Sequence, residues 1–313
     1  MPEKRVLGRS KSAARGKWVS FVLTAALTAL FAAALTAVLV GASGVVLPAA
    51  PAFAAPADFV PRKPISVLMY HQLAPKAVSL RARHNVLVTP EVFDAQMRYL
   101  KKAGYTSITC GELADYLIDG KPLPPRPVLI TFDDGWRSNY LYAFPILKKY
   151  NMKASIFLIT AMVSRTDTLN DPVQAAAGLG RYLSWDEIKE MAASGLVNFE
   201  SHTHNLHFAN KSKTYGMDAV SHEYLEQDVL ESIRLIQEAT GYRPVGLAYP
   251  YGHYRKSYEE PLQHAGIRVA FTVREGNVCL GDNPLELNRI TIYPFHKDLS
   301  RVLRGRPLRF ARF

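Results

Sequence analysis

The chain has 313 residues, two cysteines and a formal net charge of +11. Two distant cysteines make no disulfide framework; Cys110 and Cys279 can be two buried free thiols or, in an exported chain, a bridge. The basic excess accompanies no nucleic-acid-binding module, which excludes a nucleic-acid partner.

Residues 1–17 carry Lys4, Arg5, Arg9, Lys11, Arg15 and Lys17 against one acid, Glu3, and no charged residue then occurs from Trp18 to Ala57. Positions 18–41 are apolar enough to span a bilayer, and Ala52-Phe53-Ala54 suits cleavage by signal peptidase. Residues 1–54 are thus expected to direct export, as a cleaved signal peptide or as an N-terminal anchor in the membrane or cell envelope. Residues 55–64 are an Ala/Pro-rich linker. Removing the local +5 leaves +6, a moderate value for the remaining domain. Part of it lies in a basic tail, 296–313, with Lys297, Arg301, Arg304, Arg306, Arg309 and Arg312 against Asp298.

Between linker and tail, short apolar runs alternate with helix-like stretches. The runs are 65–70, 106–109, 128–132, 154–159, 196–200, 245–249, 268–273 and 289–293; the amphipathic segments are 90–103, 111–119, 140–150, 184–194, 223–240 and 257–265. Near-continuous apolar strands separated by helices imply a parallel sheet covered on its faces. Eight strands in one α/β domain, 65–295, imply a distorted (β/α) barrel, closed or incomplete, with its active site at the C-terminal ends of the strands.

Polar residues gather at those ends. His71 follows the first run, Asp133-Asp134 the third, His202, His204 and His207 the fifth, and Pro250-Tyr251-Gly252 the sixth. One Asp and two His can hold a divalent ion with a position left open. The other Asp can take a proton from the attacking water. Asp-Asp-Gly alone reads as a turn; the histidines on a matching strand end change that reading.

The residues Thr131-Phe132-Asp133-Asp134-Gly135, Ser201-His202-Thr203 with His207, and Leu247-Ala248-Tyr249-Pro250-Tyr251-Gly252 resemble the three motifs of the polysaccharide deacetylase family, the NodB-homology domain of carbohydrate esterase family 4. The five-residue spacing from His202 to His207, with Leu206 at the usual position, is most similar to the branch that deacetylates poly-β-1,6-N-acetyl-D-glucosamine of biofilm matrix. The resemblance implies a metal held by Asp134, His202 and His207. Zinc is the first choice, with cobalt, nickel, manganese or iron as alternatives. It implies Asp133 as general base and the Tyr251 backbone N–H as oxyanion donor. His204 is expected outside the ligand set.

Two family features are missing. Ala248 stands where the third motif usually has an Arg that steadies the catalytic Asp, and Arg289 or Arg274 could replace it by location. The usual general-acid His is absent, leaving His296 or His71. Trp136, Pro250 and Tyr251 are expected to meet substrate, and Tyr140, Trp185 and Tyr254 are weaker aromatic candidates. The implied activity is metal-dependent removal of N-acetyl groups, with release of acetate, from an extracellular N-acetylglucosamine polymer. The alternatives are a peptidoglycan or chitin-oligomer deacetylase and a catalytically silent glycan-binding homologue. A glycosidase would need two acids across a cleft, which adjacent Asp133 and Asp134 do not suggest.

Overall fold

The computed structural model describes residues 64–79, 86–165, 179–208 and 214–303. The export segment, nearly all of the linker and the tail beyond 303 lie outside these residues. No helix among the described residues is long and apolar enough to cross a membrane.

All eight expected strands form: β1 (Ser66–Tyr70), β2 (Thr106–Ile108), β3 (Pro127–Phe132), β4 (Ala154–Leu158), β5 (Val197–Ser201), β6 (Gly246–Ala248), β7 (Val269–Glu275) and β8 (Leu287–Thr291). Their ladders are parallel, and seven of them close into a ring, β1-β8-β7-β6-β5-β4-β3, with β3 returning to β1. β1 accompanies β3 from Ser66↔Val128 to Tyr70↔Phe132 and meets β8 at Leu68↔Ile290. β2 is the strand left out of the ring. It pairs with Pro127–Leu129 of β3, while β4 pairs with Thr131 and Phe132.

Alternation along the strands separates two cores. Leu68, Tyr70, Val128, Ile130, Phe132, Ile156, Leu158 and Phe199 face outward onto helices. Val67, Leu129, Phe157, Ala248, Phe271 and Leu287, from six different strands, fill the interior. The helices start where side-chain caps allow. α1 (Pro90–Lys102) has Thr89 as N-cap and Pro90 in its first turn, and it buries Phe93, Gln96, Met97 and Leu100. α2 (Cys110–Asp119) and α4 (Trp185–Ala193) open on capping boxes, Thr109 with Glu112 and Ser184 with Glu187. α3 (Phe144–Tyr150) buries Phe144 and Leu147 in the outer core, α5 (His222–Thr240) is capped by Ser221, and α6 (Glu259–His264) precedes β7.

The packed structure continues beyond residue 295. A last helix, α7 (Leu299–Leu303), buries Leu299 and Val302 in the core that α1 shares. The first residues of the expected tail are thus part of the fold. Both cysteines are free, Cys110 buried and Cys279 exposed.

Candidate active site

The carboxylate pair takes its geometry from the end of β3. Asp133 is in phase with interior-facing Leu129 and Thr131, and its amide donates to the Tyr70 carbonyl at 3.0 Å. Asp134 then turns into the left-handed region at φ 73, and Gly135 follows at φ 78. Glycine suits the second position, whose left-handed φ disfavours a side chain and where a Cβ would also stand 2.6 Å from Leu158 Cδ2. The kink aims neighbouring side chains differently, Asp133 inward and Asp134 across to the end of β5.

His202, just past β5, has its Nδ1 2.7 Å from the Ala248 carbonyl. A carbonyl can only accept, so Nδ1 carries a proton, and Nε2 is the ring nitrogen that faces Asp134. Beyond it Thr203 adopts φ 69. Ser201 Oγ accepts from the Thr203 amide at 3.1 Å, and Thr203 Oγ1 from the Leu206 amide at 3.2 Å. Asp228 of α5 accepts from the amides of His204 and Asn205 at 2.7 and 2.9 Å. This looped path puts the second imidazole, His207, five residues on. The His204 ring is bonded to Thr160 Oγ1 at 2.9 Å, whereas His207 returns to within 4.6 Å of the His202 ring centroid.

Asp134 Oδ1 lies 3.4 Å from His202 Nε2 and 3.5 Å from His207 Nε2. The three donor atoms lie within 4.8 Å of one another, and the carboxylate and two imidazoles form a metal-competent group. Ligand atoms about 2.1 Å from a tetrahedral ion stand roughly 3.4 Å apart, so the donor set fits such an ion. Asp134 Oδ2 accepts from Trp136 Nε1 at 2.8 Å, an outer bond that orients the carboxylate.

Asp133 is held by one residue. Arg289 Nη1 and Nη2 donate to its two oxygens at 2.7 Å each, and Arg289 Nε donates to the Thr272 carbonyl at 2.9 Å. Arg289 is fully buried, its guanidinium beside the rings of Phe157 and Phe271. Arg274 is bonded to Glu286 on the surface. The cation missing at Ala248 is therefore supplied from β8, and the Ala248 carbonyl serves His202 instead.

The sequence profile of the polysaccharide deacetylase family matches residues 120–270. The poly-β-1,6-N-acetyl-D-glucosamine N-deacetylase of Staphylococcus epidermidis is 32% identical over 209 residues, covering 66% of this chain and 68% of that protein. Its counterpart from Staphylococcus aureus strain N315 is 31% identical over 208 residues, with coverage of 66% and 68%. Among solved structures, IcaB from Ammonifex degensii superposes with a TM-score of 0.65 at 29% identity, covering 77% of this chain and 96% of that one. The Streptococcus pyogenes deacetylase PplD in complex with acetate gives 0.64 at 25%, covering 77% and 98%. The chain belongs to the polysaccharide deacetylase family.

The electrostatics of this deacetylase follow from burial against charge. Burial opposes ionisation of Asp133, but the Arg289 guanidinium and the charges of His202 and His71 hold it below the usual carboxylate range. Burial likewise opposes charge on Asp134, and His202, His71 and His207 outweigh it. Burial and the neighbouring His202 push His207 down to about 4.

Tyr251 lies in a one-turn 3-10 segment after β6, at φ 58 and half-exposed, with its ring 4.7 Å from that of His207. Pro250 before it is buried, and Gly252 after it packs so closely that a Cβ would stand 2.6 Å from Val273 N. Trp136 stacks on Tyr182 at 4.3 Å. The other aromatics are engaged elsewhere: Tyr140 with Glu190, Tyr254 with Glu259, and Trp185 against the outer core.

The two general-acid candidates differ. His296 is buried; its Nδ1 accepts from the Tyr293 amide, its carbonyl accepts from Gln96, and burial pushes it down to about 4. His71 acts electrostatically on both carboxylates, and its Nδ1 is buried with no hydrogen-bond partner among the described residues.

Proposed function

We propose that the chain is an exported, metal-dependent N-deacetylase of an N-acetylglucosamine polymer, with poly-β-1,6-N-acetyl-D-glucosamine as substrate. The observation that carries the reading is the Asp134-His202-His207 group beside an Asp133 that Arg289 keeps ionised. The names of the staphylococcal relatives support the choice of polymer, and the basic-apolar start of the chain supports export.

Asp134, His202 and His207 would hold the metal, with zinc as first choice; when bound, it supplies Lewis-acid polarisation of the acetamide and a more acidic water. Asp133, ionised at neutral pH, takes the proton of the attacking water. The Tyr251 amide donates to the oxygen that becomes negative as the acetamide carbon turns tetrahedral. His71 gives a proton to the departing nitrogen; His296, buried and with its Nδ1 taken by the Tyr293 amide, is the second candidate for that role. The Tyr251 ring offers a half-exposed face to a sugar, while Trp136 serves mainly through Asp134.

The test is acetate release by the purified full chain from β-1,6-N-acetylglucosamine oligomers, with chitin oligomers and peptidoglycan in parallel, each with chelator and after zinc addition. Metal-dependent release from the β-1,6 oligomers alone is expected. Release only from chitin or peptidoglycan would move the substrate, and no release from any glycan would refute the enzymatic reading.

A further inference from the structure

The loop with His207 follows β5 and the loop with Tyr251 follows β6, and a single short turn, Gly216–Ala219, touches both. On one side the Gly216 amide donates to the Phe208 carbonyl at 2.8 Å. Its Cα lies so close to the chain that a Cβ would stand 2.2 Å from the Leu206 carbonyl oxygen. Met217 enters the same apolar cluster as Leu206. The turn is therefore packed against the residues that bracket His207.

On the other side the turn projects Asp218, whose side chain is 11% exposed. Three residues of the loop after β6 converge on this one carboxylate: His253 Nε2 at 2.8 Å, Arg255 through Nε at 2.7 Å and Nη2 at 2.8 Å, and the Tyr258 hydroxyl. Tyr215 stacks on His253 at 4.3 Å and lies 5.4 Å from the Tyr251 ring. Tyr251 itself occupies a left-handed conformation that a tyrosine adopts only when its surroundings impose it. Upstream the loop is fixed by buried Pro250, and Gly252 fits tightly onto Val273. Downstream the convergence on Asp218 holds it, together with Tyr258 buried in the apolar core and Tyr254 bonded to Glu259.

Resting on the deacetylase reading, we propose that Asp218 is a positioning residue. It moors the loop of residues 250–258 to the turn that backs His207, and so sets the Tyr251 amide relative to the metal ligands. A donor that must meet an oxyanion within a few tenths of an ångström loses its effect when its loop drifts. Asp218 touches neither the ligands nor the space between them, so its loss should act on turnover and leave metal binding alone.

The test compares the wild-type full chain with Asp218→Ala, Asp218→Asn, Tyr258→Phe and the Asp218→Ala/Tyr258→Phe double variant. An interaction made only in the transition state lowers kcat with little change in KM. Asp218→Ala is expected to lower kcat about 10-fold or more, the scale of a lost or misplaced oxyanion donor. KM and zinc affinity, measured by chelator competition, should stay within about twofold. Asp218→Asn, which keeps the shape but loses the charge, should fall between, and the double variant should be no slower than Asp218→Ala alone. In the metal-free proteins, amide exchange should accelerate over 250–258 in Asp218→Ala and stay unchanged over 197–207. Unaltered exchange over 250–258, a kcat that drops only with the folded fraction, or lost zinc affinity would each overturn the proposal. If the wild type itself released no acetate, the deacetylase reading would fail instead, and the exchange comparison would still decide whether Asp218 moors the loop.

Discussion

Arg289→Met is the sharpest test of how the site is held together. Methionine keeps an unbranched apolar stem between Phe157 and Phe271 but removes the cation from both oxygens of Asp133. The pair is almost wholly shielded from water, with side-chain exposures of 0% and 3%. Two charge-assisted bonds of about 1.5–3 kcal/mol each disappear. Breaking one side of a buried pair costs about 3–5 kcal/mol overall. At roughly 2–4 °C per kcal/mol for a domain of this size, melting should fall by about 6–20 °C at pH 8. The sign with pH is specific. In the wild type the Asp133 pKa is lowered, so its ionised pair stabilises the fold above the unfolded carboxylate pKa of about 3.9 and is lost as pH falls through the folded value. Without Arg289, burial, already the largest single influence, is opposed only by the His202 and His71 charges, and the Asp133 pKa is expected to rise above about 3.9. The penalty is then small at acid pH and grows as pH rises. Thermal unfolding of chelated wild type and variant at pH 5 and pH 8 measures this, with the gap expected to be larger at pH 8. A gap below about 1 kcal/mol, or one equal at both pH values, would refute the reasoning.

Other expectations concern the ligands and the buried acid of β5. Asp134→Ala, His202→Ala and His207→Ala should each lose zinc in chelator competition, whereas His204→Ala, whose ring is bonded to Thr160, should retain it. Asp133→Asn should keep the metal and lower kcat by about 100-fold or more; near-full turnover would remove Asp133 from the role of base. Glu200 is buried, accepts from Tyr242 and from the amides of Val245 and Gly246, and is pushed up to about 7 by burial. Because its folded pKa exceeds the unfolded one, it costs stability progressively as pH rises from about 4.5 to 7. Glu200→Gln should remove that slope and gain up to about 3 kcal/mol at pH 8, read from denaturant unfolding at pH 5 and pH 8; an unchanged slope would contradict it.

The architecture was legible because most strands are largely apolar runs and the four longer helices α1, α2, α4 and α5 carry side-chain N-caps. Thr109 with Glu112 and Ser184 with Glu187 mark helix starts at the residue level. The convergence of Asp134, His202 and His207 was legible because parallel strands with their polar ends in phase can only meet on one face. The closure was harder to read. Nothing local in Thr106–Ile108 distinguishes a strand outside the ring from one within it, since that depends on which half of β3 it pairs with. The Arg289–Asp133 pair spans 156 positions, and location alone left Arg274 as a rival. What separates them is strand phase: Arg289 shares the face of interior-facing Leu287 two residues before it, whereas Arg274 lies in the exposed end of β7. Asp228 and Asp218 left no signal. Both act on loops that have no periodicity, through backbone amides or side chains whose partners only the fold brings near.

Ring closure also dictates when the chemistry can exist. β1 emerges early yet lies between β3 and β8, so one of its edges stays open until the last strand is made. The counter-charge of Asp133 arrives on that same last strand. A nascent chain can bring Asp134, His202 and His207 together while Asp133 still lacks its counter-charge. The non-local contact that completes the barrel therefore also brings Asp133 its counter-charge. A chain cut anywhere before residue 289 should be inert, however well the rest of it folds.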